Sequence, residues 1–142
     1  MRRFFAGLAA LQMLAVVTQF FLAASGAFDP APNDESFQPH RALGGAIVLI
    51  AVLVTVVAAT ARMPGRLIGT SGLVAGLAIA QFVIKGIATA LDGTVGELVF
   101  GLHAVNGLAI VAAAGMIIRQ ARQLSRPATQ LPTAATPARQ AP

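Results

Sequence analysis

Four long apolar runs limit this chain to one kind of fold. They cover roughly residues 4–26, 42–61, 67–90 and 98–118. Each is about as long as the 20 residues that a helix needs to cross a hydrocarbon core of about 30 Å. Because lipid offers the backbone no hydrogen bonds, a single segment of this length satisfies its own N–H and C=O groups only as a helix. The sequence therefore predicts an all-α integral membrane four-helix bundle over residues 1–122, followed by a disordered tail at 123–142 that is rich in Pro, Ala, Thr and Gln.

The composition agrees with a membrane protein and narrows the available chemistry. Hydrophobic residues make up 56% of the 142 residues and charged residues only 11%, which is unlike a soluble domain. The chain has no cysteine, so disulfides, thiolate ligands and thiol nucleophiles are excluded. No nucleophile, metal cluster or acid–base pair is visible within the apolar runs, and the sequence leaves open whether the protein is an enzyme.

The net charge of +5 is explained by its distribution. Basic residues flank one set of helix ends: Arg2, Arg3, Arg62, Arg66, Arg119, Arg122, Arg126 and Arg139. Acidic residues lie in the two loops at the other ends: Asp29, Asp34, Glu35, Asp92 and Glu97. The positive-inside rule then predicts a multi-pass protein of a bacterial inner (cytoplasmic) membrane with both termini in the cytoplasm. We expect the lipid bilayer, and not nucleic acid, to be the partner of the basic residues.

The N-terminal run has features of a signal peptide. Arg2 and Arg3 precede it, and Ser25, Gly26 and Ala27 form a small-residue segment after it. Its length of about 20 residues exceeds the usual 7–15 of a cleaved apolar region, so we expect a retained helix. Within it, Gln12 is expected to face the bundle interior and to form hydrogen bonds between helices.

The pattern H-x-x-x-G-x-A-I-V occurs twice. It begins once at His40 (HRALGGAIV) and again at His103 (HAVNGLAIV), and these are the only two histidines in the chain. A Gln-Phe pair precedes each copy at nearly the same offset, at residues 19–20 and 81–82. The repeat predicts two helix hairpins in parallel orientation, related by a pseudo-twofold axis along the membrane normal.

Such an axis would make His40 and His103 face each other near the outer membrane surface. Two neutral imidazoles on opposing helices are suitable axial ligands for a haem iron. Gly44 and Gly107 lie one turn inward from each histidine and would leave room for a flat macrocycle. The residues therefore suggest a haem b site with His40 and His103 as its metal ligands.

Further polar residues lie at the same end of the predicted bundle. Lys85 is the only lysine, and it shares a helix face with Gln81 and Asp92. It either extends to the outer surface, where it can pair with Asp92, or it balances the charge of a bound anionic group. Arg41 and Lys85 could neutralise haem propionates, and Asn106 lies on the same side as His103.

The same residues also allow other interpretations. Histidines near a membrane surface and glycines in membrane helices also serve packing alone. The protein would then be a cofactor-free scaffold or a subunit of a complex. A carrier of protons or of a small apolar ligand through Gln81 and Lys85 is a third reading. Zinc or copper is less suitable, because two histidines without a cysteine or a well-placed carboxylate leave the coordination incomplete.

Several segments resemble a known family. HRALG at the start of helix 2, AQFVIKG in helix 3 with GTV in the loop that follows, and LHAVNG in helix 4 resemble the four-helix haem-binding half of the haem A synthase family. They are more similar still to small uncharacterised bacterial four-helix membrane proteins with HR-x-L-G and H-x-x-N-G motifs. The resemblance implies that His40 and His103 are axial haem ligands in electron transfer or haem handling.

The chain also departs from the synthase pattern. The synthase has two such halves and this chain has one, so a homodimer would be needed to rebuild eight helices. Phe37 stands where the synthase has a glutamate, three residues before the first histidine. The resemblance therefore does not extend to oxygenase chemistry on the haem.

Overall fold

The computed structural model describes residues 1–125, which form four long helices and one short one. The helices are α1 (Arg2–Phe28), α2 (Asn33–Ser36), α3 (Gln38–Thr60), α4 (Gly65–Ala90) and α5 (Gly93–Ser125). Residues 1–125 contain no strand. All four long helices are long and apolar enough to cross a membrane. The all-α four-helix prediction is confirmed, whereas most of the predicted tail lies outside the described residues.

Helix α5 is longer than the apolar run that predicted it. It begins at Gly93 and ends at Ser125, whereas the run covers about 98–118. The additional C-terminal residues include Gln120 and Arg122, which are polar but have high helix propensity. An apolar run marks the segment that suits lipid, and the helix itself continues beyond it.

The four long helices form a ring around a central axis. Helix α1 packs against α3 and α5, and α4 also packs against α3 and α5. Within residues 1–125, the diagonal pairs α1–α4 and α3–α5 have no Cα atoms within 8 Å of each other. A twofold rotation that exchanges α1 with α4 and α3 with α5 preserves this set of neighbours. The predicted pair of parallel hairpins is therefore confirmed.

The buried residues follow the repeat position by position. Each buried residue on α1 or α3 that is named next has a buried counterpart 62 or 63 residues later. On α1 and α4 the pairs are Phe5 with Leu67, Ala9 with Ser71, Gln12 with Val74, and Val16 with Ala78. On α3 and α5 they are Ile47 with Ile110, Ala51 with Ala114, Val54 with Ile117, and Ala58 with Ala121. The two hairpins thus present the same positions to one common axis.

A tight turn joins α3 to α4 at one end of the bundle. Arg62 has a left-handed backbone with φ of 50°. Its N–H donates to the Ala59 carbonyl, and the Met63 N–H donates to the Ala58 carbonyl. This is the Schellman pattern of helix ends, with arginine at the position that glycine usually occupies. Pro64 follows, so the chain cannot continue as α3.

The same end of the bundle also holds the start of α1 and the end of α5. A shallow cavity of about 390 Å³ there is lined by Met1, Ala61, Arg62, Met63, Pro64 and Leu124. The basic residues of the described chain other than Arg41 and Lys85 belong to these segments, and the acidic residues belong to the opposite end. The charge separation expected from the sequence is therefore present along the bundle axis.

At the opposite end the two hairpins differ. The first hairpin breaks into the short α2 between α1 and α3, whereas residues 96–99 at the equivalent positions already belong to α5. Pro30, Pro32 and Pro39 lie in or beside the broken segment and account for the interruption. In the second hairpin Gly96 packs closely on the end of α4, where an added Cβ would lie 2.8 Å from the Ala88 carbonyl oxygen.

Candidate functional site

The two histidines meet across the bundle axis. His40 lies in the first turn of α3, and His103 lies ten residues into α5, which begins earlier than the apolar run that predicted it. Their ring centroids are 6.3 Å apart, and the ring planes are tilted by 47°. Because α3 and α5 are diagonal neighbours, these rings span a gap that the two backbones leave open.

The Gln19 residue of α1 fixes the orientation of His40. The Nδ1 atom of His40 lies 3.1 Å from the Gln19 carbonyl oxygen, and the Gln19 Nε2 donates to the His40 carbonyl at 2.8 Å. Since a carbonyl oxygen only accepts, this bond requires the hydrogen on Nδ1. The lone pair of a neutral His40 is then on Nε2, the arrangement that metal-binding histidines use.

His103 has a similar but incomplete environment. Its ring lies near the backbone of Gln81, the repeat counterpart of Gln19. The approach does not reach hydrogen-bond geometry, so its buried Nδ1 has no hydrogen-bond partner among the described residues. The side-chain oxygens of Gln19 and Gln81 are likewise buried without a partner there. We call the level of the bundle formed by His40, His103, Gln19 and Gln81 the histidine layer. It contains donor and acceptor atoms that form no hydrogen bond with the described residues.

A phenylalanine three residues before each histidine contacts its ring. Phe37 meets His40 edge-on, with centroids 6.2 Å apart, and Phe100 stacks on His103 at 5.3 Å with nearly parallel planes. The contacts of Phe37 and Phe100 with the histidine rings were not predicted from the sequence. The signal was present, because the repeat extends backwards to F-x-x-H-x-x-x-G in both copies. Phenylalanine is thus repeated in this chain at the position three residues before each histidine.

Gly44 lies against side chains from both hairpins. An added Cβ would lie 3.1 Å from Nε2 of Gln19, which belongs to the same hairpin. It would lie 3.9 Å from the ring of Phe82, which belongs to the other hairpin. The glycine therefore lets the Gln19 amide approach the α3 backbone, whereas the Phe82 ring lies at a distance that a Cβ would tolerate.

Gly107 repeats this arrangement with the hairpins exchanged. A Cβ there would lie 3.5 Å from Nε2 of Gln81, from its own hairpin, and 3.2 Å from the Phe20 ring of the other. The repeated Gln-Phe pairs thus have a physical role. In each pair the amide lies against the glycine of its own hairpin, and the phenyl ring lies against the glycine of the other hairpin. The space predicted beside Gly44 and Gly107 for a flat macrocycle is occupied by these side chains in this structure.

Arg41 is engaged with the loop that precedes it. Its guanidinium lies 3.9 Å from the Asp34 carboxylate and donates to the carbonyl oxygens of Asn33 and Asp34. Both Arg41 and Asp34 are exposed. These contacts attach α2 to the first turn of α3, directly beside His40.

Lys85 and Asn106 lie in different settings. Lys85 is exposed and forms no ion pair with any acidic residue in the described part of the chain, so the pairing with Asp92 is not found. Asn106 is partly buried, and its Nδ2 donates to the Leu77 carbonyl at 2.8 Å. Asn106 therefore joins α5 to α4 one turn below His103.

The histidine layer offers two imidazoles, those of His40 and His103, as candidate metal ligands. Residues 1–125 contain no group of three or more His, Cys, Asp or Glu side chains placed to hold a metal ion. A zinc or copper ion would need further ligands from the chain. An iron porphyrin supplies four nitrogens of its own and needs only axial ligands from the protein.

These features define the class of the protein. It is a small multi-pass membrane protein, a four-helix bundle made of two equivalent hairpins that meet in a layer of paired histidines and glutamines. The chain belongs to the family of unknown function DUF6220, which it matches over residues 19–90, just over half of its length. The matched segment includes His40 and both Gln-Phe pairs and ends before His103. No curated protein and no solved structure matches the chain.

Proposed function

We propose that this protein binds haem b between His40 and His103 and serves in electron transfer or haem handling. The facing imidazoles are the observation that carries the proposal. A metal lies about 2.0–2.1 Å from an imidazole nitrogen, so two imidazoles on opposite sides of one metal have centroids about 6–6.5 Å apart. The 6.3 Å between His40 and His103 agrees with that separation.

The residues around the pair support the same role. The Gln19 carbonyl orients His40 and leaves its Nε2 available as the ligand atom. Phe100 stacks on the His103 ring and restricts its rotation. A haem held by two histidines would supply one-electron chemistry at this layer. The resemblance of HRALG and LHAVNG to the haem-binding half of the haem A synthase family supports the same two ligands.

Room for the macrocycle would come from the two phenylalanines that cover the glycines. Phe20 is 40% exposed and Phe82 51% exposed, so both rings already border the lipid-facing surface. Movement of these rings outward would open one side of Gly44 and Gly107, and the Gln19 and Gln81 amides would still border the other side. The exposed Lys85 ammonium, which is unpaired within the described chain, is available for a propionate at this end.

The proposed setting is the inner membrane of a bacterium, with the histidine layer toward the outer face. The basic residues of the α3–α4 turn and of the ends of α1 and α5 favour the cytoplasm for that end of the bundle. A haem at the histidine layer would then lie close to redox partners outside the cytoplasm.

The absorption spectrum of the purified protein tests the proposal. After expression with a haem precursor, we expect a Soret band and sharp bands in the reduced spectrum. Replacement of either ligand, in His40→Ala or His103→Ala, should abolish the six-coordinate spectrum, because no other histidine is present. A folded but colourless protein would refute haem binding and favour the cofactor-free scaffold.

A matched control removes a different polar contact between helices. The Gln120 Nε2 donates to Thr70 Oγ1 at 3.1 Å and joins α5 to α4 toward the opposite end of the bundle. Gln120→Ala should leave the spectrum unchanged. If it removes the bands as fully as the histidine variants do, the loss reflects general destabilisation and the ligand assignment fails.

A further inference from the structure

A buried amide below the histidine layer has no partner in the protein. Gln12 on α1 is 1% exposed, and neither its Nε2 nor its Oε1 forms a hydrogen bond with any residue in the described range. An unsatisfied amide in a lipid-embedded interior is strongly unfavourable. The interior position expected from the sequence is confirmed, but the expected bonds between helices are not found.

The repeat shows that packing does not require this amide. The counterpart of Gln12 on α4 is Val74, which is equally buried. Ser71 on α4 likewise corresponds to the buried Ala9 on α1. At both positions one hairpin has a polar side chain where the other has an apolar one of a type that fits the bundle. The unpartnered amide of Gln12 therefore needs an explanation other than the fold.

Gln12 lies below the histidine layer, beside two buried alanines of the diagonal helices α3 and α5. Gln12 lies seven residues, or about 10 Å of helix rise, below Gln19, whose Oε1 is also buried without a partner. At the corresponding depth, seven residues below Gly44 and Gly107, α3 and α5 carry the buried Ala51 and Ala114. These two alanines place only methyl groups against the axis at this depth, and the buried Ile47 and Ile110 lie one turn above them.

Ser71 adds a second polar group slightly deeper in the bundle. Its hydroxyl donates to the Leu67 carbonyl at 2.9 Å, so the oxygen can still accept a hydrogen bond. Further toward the cytoplasmic end the interior is closed by Phe5, Leu67 and Ile117, which are all fully buried. The cytoplasmic side of Gln12 and Ser71 is therefore apolar, and the unpartnered polar atoms of the histidine layer lie on their other side.

We propose that Gln12 binds internal water in a dead-end polar pocket beneath the histidine layer. Water fits because it both donates and accepts, as the two ends of the amide require, and because it needs only about 10–15 Å³ of cavity. The Ser71 hydroxyl and the Gln19 and Gln81 oxygens are the further acceptors for a short chain of such waters. This pocket is independent of whether a haem is bound above it.

Solid-state NMR of the nitrogen-15-labelled full chain in lipid bilayers tests the pocket. Magnetisation transferred from water should reach the side-chain amide of Gln12, and its protons should exchange in deuterated buffer. The signal is assigned by its loss in Gln12→Val, which copies Val74. Gln12→Met, which keeps the length without the amide, gives the same assignment if the valine variant folds poorly.

Two outcomes would overturn the proposal. A Gln12 amide that receives no magnetisation from water and keeps its protons in deuterated buffer for days would show that the site is dry. Proton leakage through liposomes containing the protein, lost in Gln12→Val, would show a continuous path and refute the dead end. The expected result is water contact at Gln12 together with liposomes as proton-tight as those containing Gln12→Val.

Discussion

The first turn of α5 packs closely on the end of α4 at Gly96. An added Cβ at Gly96 would lie 2.8 Å from the Ala88 carbonyl oxygen and closer still to that of Leu91. Both are backbone atoms, so they cannot move aside as a flexible side chain can. Overpacking of this kind costs about 1–3 kcal/mol. The gain in helix propensity from glycine to alanine returns about 1 kcal/mol at most, so Gly96→Ala should be destabilising.

Gly101→Ala is the matched control. Gly101 lies on the same helix, and an added Cβ there would meet nothing within 4 Å. Both variants gain the same propensity, so the difference between their free energies of unfolding isolates the contact and should be about 1–3 kcal/mol. Unfolding in mixed micelles with increasing SDS, followed by circular dichroism, measures it. Equal stability of the two variants would refute the close packing of α5 on the end of α4.

Three further predictions concern the turn, the α4–α5 contact and the orientation. Arg62→Gly should stabilise the protein by about 1 kcal/mol in the same assay, because an L-residue in the left-handed region costs about 1–2 kcal/mol. Arg62→Ala should give no such gain, and equal effects of the two variants would contradict the turn geometry. Asn106→Leu, which copies Leu43 of the first hairpin, should lose about 0.5–1 kcal/mol with its bond to the Leu77 carbonyl, and a neutral result would show that this bond is dispensable. A fluorescent protein fused to the C-terminus should fluoresce and a phosphatase fused there should be inactive; the reverse pattern would invert the proposed topology.

The number of helices and the pairing of the histidines followed from the sequence for physical reasons. A helix that crosses lipid needs a fixed length of apolar residues, so four runs give four helices. In a parallel repeat, equivalent residues reach the same depth and face a shared axis. The identical patterns at His40 and His103 therefore predicted that the two rings would lie close together, as they do.

The side-chain contacts around the histidines could not be predicted from the sequence in the same way. Gln12 marks the inner face of helix α1, but the helix is otherwise apolar on almost every side, so its sequence contains little information on which apolar side chains contact α5. The approach of Phe20 to Gly107 depends on that rotation and on the packing of α1 against α5. The ends of α5 were also beyond the reach of hydropathy, because its first and last turns are helical without being part of the apolar run.

The match between buried positions also has an evolutionary consequence. Two copies of one hairpin, related by a twofold axis, would bury the same positions as this chain buries twice. In such an ancestral dimer every substitution would change both sides of the axis together. Joining the copies in one chain allows each side to change separately, and Gln12 opposite Val74 is a difference that a dimer of identical hairpins cannot have. Gene duplication would in this way have allowed the two hairpins of a symmetric bundle to acquire different buried residues.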